Sequence, residues 1–410
     1  MANSRTFVII GGGLAGAKAA EVLRDNAFDG KVVLLAAEEH LPYERPPLSK
    51  EFLAGKKSLA DFTVHDSDWY HENKIDLRVA TEASAIDTTA HTVALSDDTS
   101  IRYDKLLLAT GSRPRWSSIP GSDSTGVHYL RTFDDASTLN TALIEGSSLA
   151  VVGAGWIGLE VAASARERNI DVTVVEKAKA PLIGAVGEEV GNVFAKLHRD
   201  HGVDLRLEVE VKEITTADGK VTGLLLKDES TITADRVLIA IGAQPNIELA
   251  DEAGLSTGDG GILVDASLRT SDPDIYAVGD IAAAEHPLFE QRIRTEHWAN
   301  ALNQPAVAVA GMLGQGTEYK ELPYFFTDQY DLGMEYAGHA PDCDRVVFRG
   351  DVDDREFVAF WLDPENRVLA GMNVNVWDVL DDIKNLIRSK KPVSLNALVD
   401  PETPLDGVLS

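Results

Sequence analysis

A chain of 410 residues, 44% hydrophobic and 25% charged, has the composition of an ordinary globular protein, long enough for two or three domains of about 100–200 residues each. It holds no run of roughly 18 apolar residues to cross a bilayer and opens on no basic-then-apolar leader, and its formal net charge of −28 disfavours nucleic acid as a partner. Its one cysteine, Cys343, can close no intrachain disulfide and form no redox dithiol, which points to a reducing, cytoplasmic setting and excludes disulfide reduction by the chain itself.

The first element is an apolar strand running into a glycine turn, TFVIIGGGLAG over Thr6–Gly16; an alanine-rich helical stretch and a second apolar strand, KVVLL over Lys31–Leu35, follow. The spacing Gly11-x-Gly13-x-x-Gly16, after a strand and at a helix start, is a dinucleotide-binding fingerprint. The first glycine permits the turn, the second lets a pyrophosphate approach the backbone, and the third lets helix and strand pack closely. The amides of the helix N-terminus then face the phosphates. An acid to accept hydrogen bonds from the ribose is expected at the end of the second strand; Ala36 and Ala37 take that place, and Glu38 is the best available carboxylate. Ser84–Ile101 alternates as an antiparallel excursion would, and Asp104–Gly111, DKLLLATG, reads as another buried strand with a glycine turn.

The pattern then repeats. SLAVVGAGWIG over Ser148–Gly158 carries Gly153, Gly155 and Gly158, and DVTVVE over Asp171–Glu176 ends on an acid in the usual place. A carboxylate at Glu176 accepts from both ribose hydroxyls and repels a 2′-phosphate, which favours NADH over NADPH, although Lys177 and Lys179 lie close by. His198 and His201 fall on a probable helix with no cysteine nearby, and read as a surface pair rather than a metal site. DRVLIAIG over Asp235–Gly242 and PDIYAVGD over Pro273–Asp280 are further strands with turns, and Ala299–Met312 is helical. From Glu321 the character changes to aromatic-rich strands (Tyr324, Phe325, Phe326, Phe348, Phe357, Phe360, Trp361), followed by a helix-like Trp377–Ser389. Continuously apolar strands imply sheets covered on both faces. The expected fold is α/β: two Rossmann-like dinucleotide-binding domains plus a C-terminal α+β interface domain. Two nucleotide sites in one chain point to electron transfer between the bound nucleotides; a non-redox regulator with two such sites is the other reading of the repeat.

Seven segments carry a resemblance. They are ERPPLSK at Glu44–Lys50, ATG at Ala109–Gly111, GAGWIGLE at Gly153–Glu160, IGAQPN at Ile241–Asn246, YAVGDIA at Tyr276–Ala282, EHWANALNQ at Glu296–Gln304 and FFTDQYD at Phe325–Asp331. In this order, over the whole chain, they resemble the NADH-dependent ferredoxin reductases of bacterial oxygenase systems, which are FAD-containing, glutathione-reductase-like flavoproteins. The resemblance implies an FAD-binding domain made of 1–113 and 243–320, an NADH-binding domain over 114–242, and an interface domain over 321–410.

The resemblance also implies roles. FAD would lie along the first fingerprint, Thr110, Arg113, the turn glycines Gly242 and Gly279, and Asp280. Arg45 and Lys50 would lie beside the flavin, where a cation stabilises the reduced, anionic form. Glu160 would pair with Lys50 and face the nicotinamide, and Trp298 would close the pocket. Lys50, Glu160 and Trp298 are therefore the residues expected to shape hydride transfer from NADH. Three positions depart from the commoner pattern: Ala37 for an acid, His297 before Trp298, and Phe326 for a tryptophan.

The implied electron acceptor is a two-iron ferredoxin that feeds an oxygenase. Such ferredoxins are usually acidic, so docking on this acidic chain calls for a local basic patch. Lys384, Arg388, Lys390 and Lys391 form one such cluster, and Arg292 with Arg294 another. The alternatives are an NADH-sensing interaction flavoprotein resembling apoptosis-inducing factor and a reductase of another carrier such as rubredoxin. An NADH oxidase or peroxidase would carry a redox cysteine near Tyr43, and none is there.

Overall fold

The two glycine-turn repeats fold into two parallel five-stranded sheets of the same design. In the first, Thr6–Ile10 lies between Lys31–Leu35 and Lys105–Leu108, with Ile75–Arg78 and Ile275–Ala277 at the edges. In the second, Ser148–Val152 lies between Asp171–Val175 and Arg236–Ile239, with Asp204–Arg206 and Val127–His128 at the edges. The centres match in detail. Ile10 lies opposite Leu35 and Leu108, as Val152 lies opposite Val175 and Ile239. Even the entry to the central strand is held alike: Asp104 accepts the Thr6 amide (2.6 Å), and Asp235 accepts the Ser148 amide (2.8 Å). This computed structural model describes residues 5–409.

The strands form because they are short runs rich in branched apolar residues, buried on both faces except at their first residues and at the half-buried Thr173. One helix packs behind each glycine turn, Leu14–Asp25 in the first repeat and Trp156–Glu167 in the second. Each sheet also carries a three-stranded antiparallel excursion before its return strand. The first comprises Ala83–Asp87, Thr92–Leu95 and Ser100–Arg102, as the alternation predicts. The second, Val211–Ala217, Lys220–Leu226 and Thr231–Thr233, is not foreseen by the sequence reading; two register shifts and its charged residues obscure the alternation.

The C-terminal region is a five-stranded antiparallel sheet in the order Tyr324–Gln329, Leu332–Gly338, Val368–Val374, Glu356–Leu362, Arg345–Asp351. The helix Leu380–Ser389 packs on it through Ile383, Leu386 and Ile387, and starts three residues later than the apolar pattern suggests. Arg349 gathers the carbonyls of Leu398, Asp400, Pro401 and Thr403, which fixes the tail against the edge strand.

By packing, the chain groups into two compact units. One comprises residues up to Glu44, Leu59–Arg113 and Gln244–Tyr324; the other comprises Arg45–Ser58, Pro114–Ala243 and everything from Phe325 onward. Arg45–Ser58, which the sequence assigns to the first domain, thus groups with the second repeat and the C-terminal sheet. The contacts behind this lie on the helix Trp156–Glu167 and just beyond it. The Ser49 hydroxyl donates to Glu160, Ser164 donates to the Ser49 carbonyl (2.8 Å), Lys56 pairs with Glu167 (2.6 Å), and Arg168 donates to the Leu53 carbonyl (2.9 Å).

Candidate active site

In both glycine turns the first and third glycines are required by the protein itself, for different reasons. Gly11 (φ +128°) and Gly153 (φ +105°) adopt a conformation that side chains avoid, and a Cβ there would fall 2.0 Å from the Ala109 carbonyl oxygen or 2.4 Å from that of Ala240. At Gly16 and Gly158 it would fall 1.9 Å and 2.3 Å from the carbonyl oxygens of Gly11 and Gly153, so helix and strand could not meet. At Gly13 and Gly155 it would meet nothing within 4 Å. No protein neighbour demands these middle glycines, and each is the N-cap of a helix with no side-chain cap. Open space beside uncapped amides is what a pyrophosphate needs. The residues present therefore fit a dinucleotide in each unit.

The acids differ between the units. Glu176, directly after its strand, accepts from the amides of Ala154 (2.8 Å), inside the glycine turn, and Ala178 (2.9 Å). Its remaining lone pairs are available to ribose hydroxyls. Lys179 pairs with Glu188 at the surface, which offsets part of its attraction for a 2′-phosphate. In the first unit Ala36 takes the place of Glu176, and its methyl lies against the turn: a Cβ on Gly12 would come within 2.2 Å of it. Glu38 lies beyond, half-buried, and accepts from the Tyr43 hydroxyl (2.5 Å).

Several of the residues expected at the cofactors are held by protein partners. The Thr110 hydroxyl donates to the Asn246 carbonyl (2.6 Å), and Arg113 donates to the Asn246 side chain (2.7 Å) and to Glu248, clasping the 110–113 and 246–248 segments together. Asp280 is buried in the turn Gly279–Ile281, where Gly279 (φ +77°) donates its amide to the Gln304 side chain (2.7 Å). Gly242 (φ +113°) faces open space. Trp298, the first residue of the helix Trp298–Met312, donates its indole N–H to Glu44 (3.1 Å). Arg45 donates to the Arg131 carbonyl (2.6 Å).

The second unit brings Lys50 and Glu160 together with Phe326 and with Ser49, Thr327 and Asp328, which sequence reasoning did not single out. The strand Tyr324–Gln329 alternates. Phe326 and Asp328 point to Lys50, whose Nζ lies 4.3 Å from the Phe326 ring centre and 3.9 Å from Asp328. Thr327 points the other way and donates to Glu160 Oε1 (2.6 Å), while Ser49 donates to Oε2 (2.5 Å). The direct partners of Glu160 are thus two hydroxyls; Lys50 acts on it through space rather than by an ion pair. Burial pushes the Glu160 carboxyl above the usual carboxylate range, Lys50 and the two hydroxyls oppose that, and Asp328 adds to it. Ser49, Thr327 and Asp328 all sit inside quoted motifs, ERPPLSK and FFTDQYD, which was the available signal.

Two expectations are corrected. His198 is not on the surface. It is fully buried, its Nε2 is 2.8 Å from the Gln329 side-chain oxygen, and burial pulls its pKa down to about 4. It lies four residues after Phe194 and eight after Val190, on the buried stripe of the helix Ile183–Asp200, so periodicity could have placed it inside. His201 is half-buried and stacks on Tyr330. Nor do Arg292 and Arg294 form an open basic patch. Arg292 is bound to Glu285 and to the carbonyls of Val264 and Ala283, and Arg294 to Glu296 and the Asp280 carbonyl. In the other cluster Arg388, Lys390 and Lys391 are exposed and Lys384 is half-buried.

Known proteins match the chain over nearly its whole length. Residues 5–305 match the family described as pyridine nucleotide-disulphide oxidoreductase, and residues 324–409 match that described as reductase C-terminal. The chain is 41% identical to rhodocoxin reductase of Rhodococcus erythropolis, over 87% of this chain and 83% of that one. It is 39% identical to the ferredoxin–NAD(+) reductase component of the anthranilate 1,2-dioxygenase system of Burkholderia cepacia, over 98% and 99% of the two chains. Among solved structures, the covalent putidaredoxin reductase–putidaredoxin complex matches with a TM-score of 0.94 at 36% identity, over 99% of this chain and 98% of that one. The chain belongs to the pyridine nucleotide-disulphide oxidoreductase family, in the group of oxygenase-system ferredoxin reductases, although its single cysteine leaves it without the dithiol of the family's description.

Proposed function

We propose that this protein is an FAD-dependent reductase that takes a hydride from NADH and passes single electrons to a two-iron ferredoxin serving an oxygenase. The observation that carries the reading is the pair of middle glycines, Gly13 and Gly155, which no protein contact requires and which front two uncapped helix N-termini. Bound flavin supplies the chemistry of the exchange, accepting a hydride and releasing electrons one at a time.

The chain supplies binding and charge. In the first unit, the turn around Gly13 offers backbone amides to the FAD pyrophosphate, and Glu38, oriented by Tyr43, serves its ribose. In the second, the turn around Gly155 and the carboxylate of Glu176 do the same for NADH. Lys50 contributes a cation, steadied by Phe326 and Asp328, and Glu160 a buried carboxyl fixed by Ser49 and Thr327. Trp298 is oriented through Glu44. Among the described residues no helix is long and apolar enough to cross a membrane.

Anaerobic titration of the purified protein with NADH tests cofactor and donor together: oxidised flavin absorption should bleach at one equivalent. A colourless protein that cannot be reconstituted with flavin ends the proposal. The exposed end of the helix Leu380–Ser389 is the proposed docking patch. Charge reversal at Lys384 and Arg388 should slow ferredoxin reduction roughly tenfold at low salt relative to NADH oxidation by ferricyanide.

A further inference from the structure

A buried polar chain runs from Glu160 away from Lys50, and the reaction as proposed uses only its first link, Thr327. Thr327 Oγ1 lies 2.6 Å from Glu160 Oε1, Gln329 Nε2 lies 3.3 Å from Thr327 Oγ1, His198 Nε2 lies 2.8 Å from Gln329 Oε1, and the Tyr330 hydroxyl lies 3.3 Å from His198 Nδ1. Thr327, Gln329 and His198 are each at most 1% exposed. These side chains meet because Thr327 and Gln329 are two residues apart on one strand and share a face, while His198 projects from the buried stripe of a neighbouring helix.

The chain has a sense. If the Thr327 hydroxyl donates its one proton to Glu160, its oxygen must accept, and the neighbour able to donate is the Gln329 NH2. That turns the Gln329 carbonyl oxygen toward His198, which must then donate from Nε2. His198 Nδ1 is left as an acceptor, and the Tyr330 hydroxyl donates to it. Every link from Tyr330 to Glu160 then points the same way, and Glu160 receives at both oxygens, from Thr327 and from Ser49. A neutral His198 is essential, because an imidazolium would also carry a proton on Nδ1, and burial pulls its pKa down to about 4.

We propose that Gln329 and His198 are positioning residues that act through Thr327 to hold Glu160 as an ionised hydrogen-bond acceptor beside Lys50. Without Gln329, the Thr327 hydroxyl is free to turn, and Glu160 loses a committed donor inside a buried site. The charged groups facing Glu160 are Lys50 from the 45–58 segment and Asp328 from the strand Tyr324–Gln329. His201 faces His198 from its own helix, and Arg166 and Glu167 bear on Tyr330. The direction follows from these. Burial already raises the Glu160 carboxyl above its unfolded value, and loss of a donor to the charged form raises it further, so the ionised form disappears at a higher pH.

The test reads Glu160 directly in the intact protein, so it does not depend on which nucleotide or carrier is served. The side chain is followed by carbon-13 carboxyl NMR against pH, with the resonance assigned by its loss in Glu160→Gln. In Gln329→Met and Thr327→Val the Glu160 midpoint should rise by about one pH unit, the scale of one hydrogen bond to a charged group. Thr327→Ser should keep the midpoint of the unaltered protein, and the acid limb of flavin reduction by NADH should move with the carboxyl. Nitrogen-15 NMR of the unaltered protein should show His198 protonated on Nε2. An unmoved midpoint in a folded Gln329→Met overturns the proposal. So does a His198 proton on Nδ1, which needs no variant to fold.

Discussion

The two glycine turns share a backbone but not their surroundings, and the difference lies in one small residue. In the second repeat the strand ends on Glu176, whose carboxylate reaches back to the amide of Ala154 in the turn. In the first, Ala36 stands in that position and Gly12 stands where Ala154 would be, so close that no Cβ fits on Gly12. The acid proposed for the ribose stands two residues on, at Glu38, and accepts from the Tyr43 hydroxyl. The fold therefore duplicates a glycine turn faithfully while exchanging the carboxylate beside it, a difference that would suit the two turns to different dinucleotides. The turn rests on main chain that glycine spacing fixes; the carboxylate beside it rests on side chains free to shift.

The comparison can be broken most severely at the third glycines. Gly16→Ala or Gly158→Ala drives a methyl onto a carbonyl oxygen and should cost more than about 3 kcal/mol, read as loss of soluble protein or a large drop in thermal midpoint. Gly13→Ala, against open space, should leave the cofactor-free protein within about 0.5 kcal/mol of its original stability, while flavin retention falls at least about tenfold. If these two outcomes were exchanged, the middle glycine would be a packing residue and the nucleotide reading would lose its support. Next in size, Glu176→Ala should weaken NADH binding by roughly tenfold to a hundredfold, with little change for NADPH, read from KM for each.

Gly12→Ala sharpens the contrast. The equivalent residue in the second repeat is already Ala154, yet the change should destabilise the first unit by about 1–3 kcal/mol through overpacking on Ala36, measured by thermal denaturation. Smallest is Tyr43→Phe, which removes one hydrogen bond to Glu38 and should weaken FAD binding by about 1 kcal/mol, roughly fivefold, in a fluorescence titration. A neutral result there would mean that Glu38 needs no help from Tyr43.

Much of this was legible in the sequence for a physical reason. Fully buried parallel strands must be runs of branched apolar residues, and glycine is obligatory where backbone meets backbone, so both Rossmann-like sheets and both turns could be written down with Gly11, Gly16, Gly153 and Gly158 in place. The excursion over Val211–Thr233 was not, because register shifts and solvated charge break its alternation. The clasp of Thr110 and Arg113 on Asn246, and the attachment of Arg45–Ser58 to the helix carrying Glu160, depend on contacts more than 100 residues apart in the chain. Local pattern is silent on such contacts. His198 was misplaced because its chemistry was weighed ahead of its helical phase.

The alternation along Tyr324–Gln329 makes that strand unusually intolerant of a change in length. Inserting or deleting one residue there would carry Asp328 to the side of Glu160 and Thr327 to the side of Lys50, setting two carboxylates together in a dry pocket and leaving the lysine beside a hydroxyl. Related chains are therefore expected to vary freely in length at the 339–344 turn, yet to keep a fixed count from Phe325 to Tyr330. That count, more than the identity of any aromatic within it, should be a sequence mark of a working site.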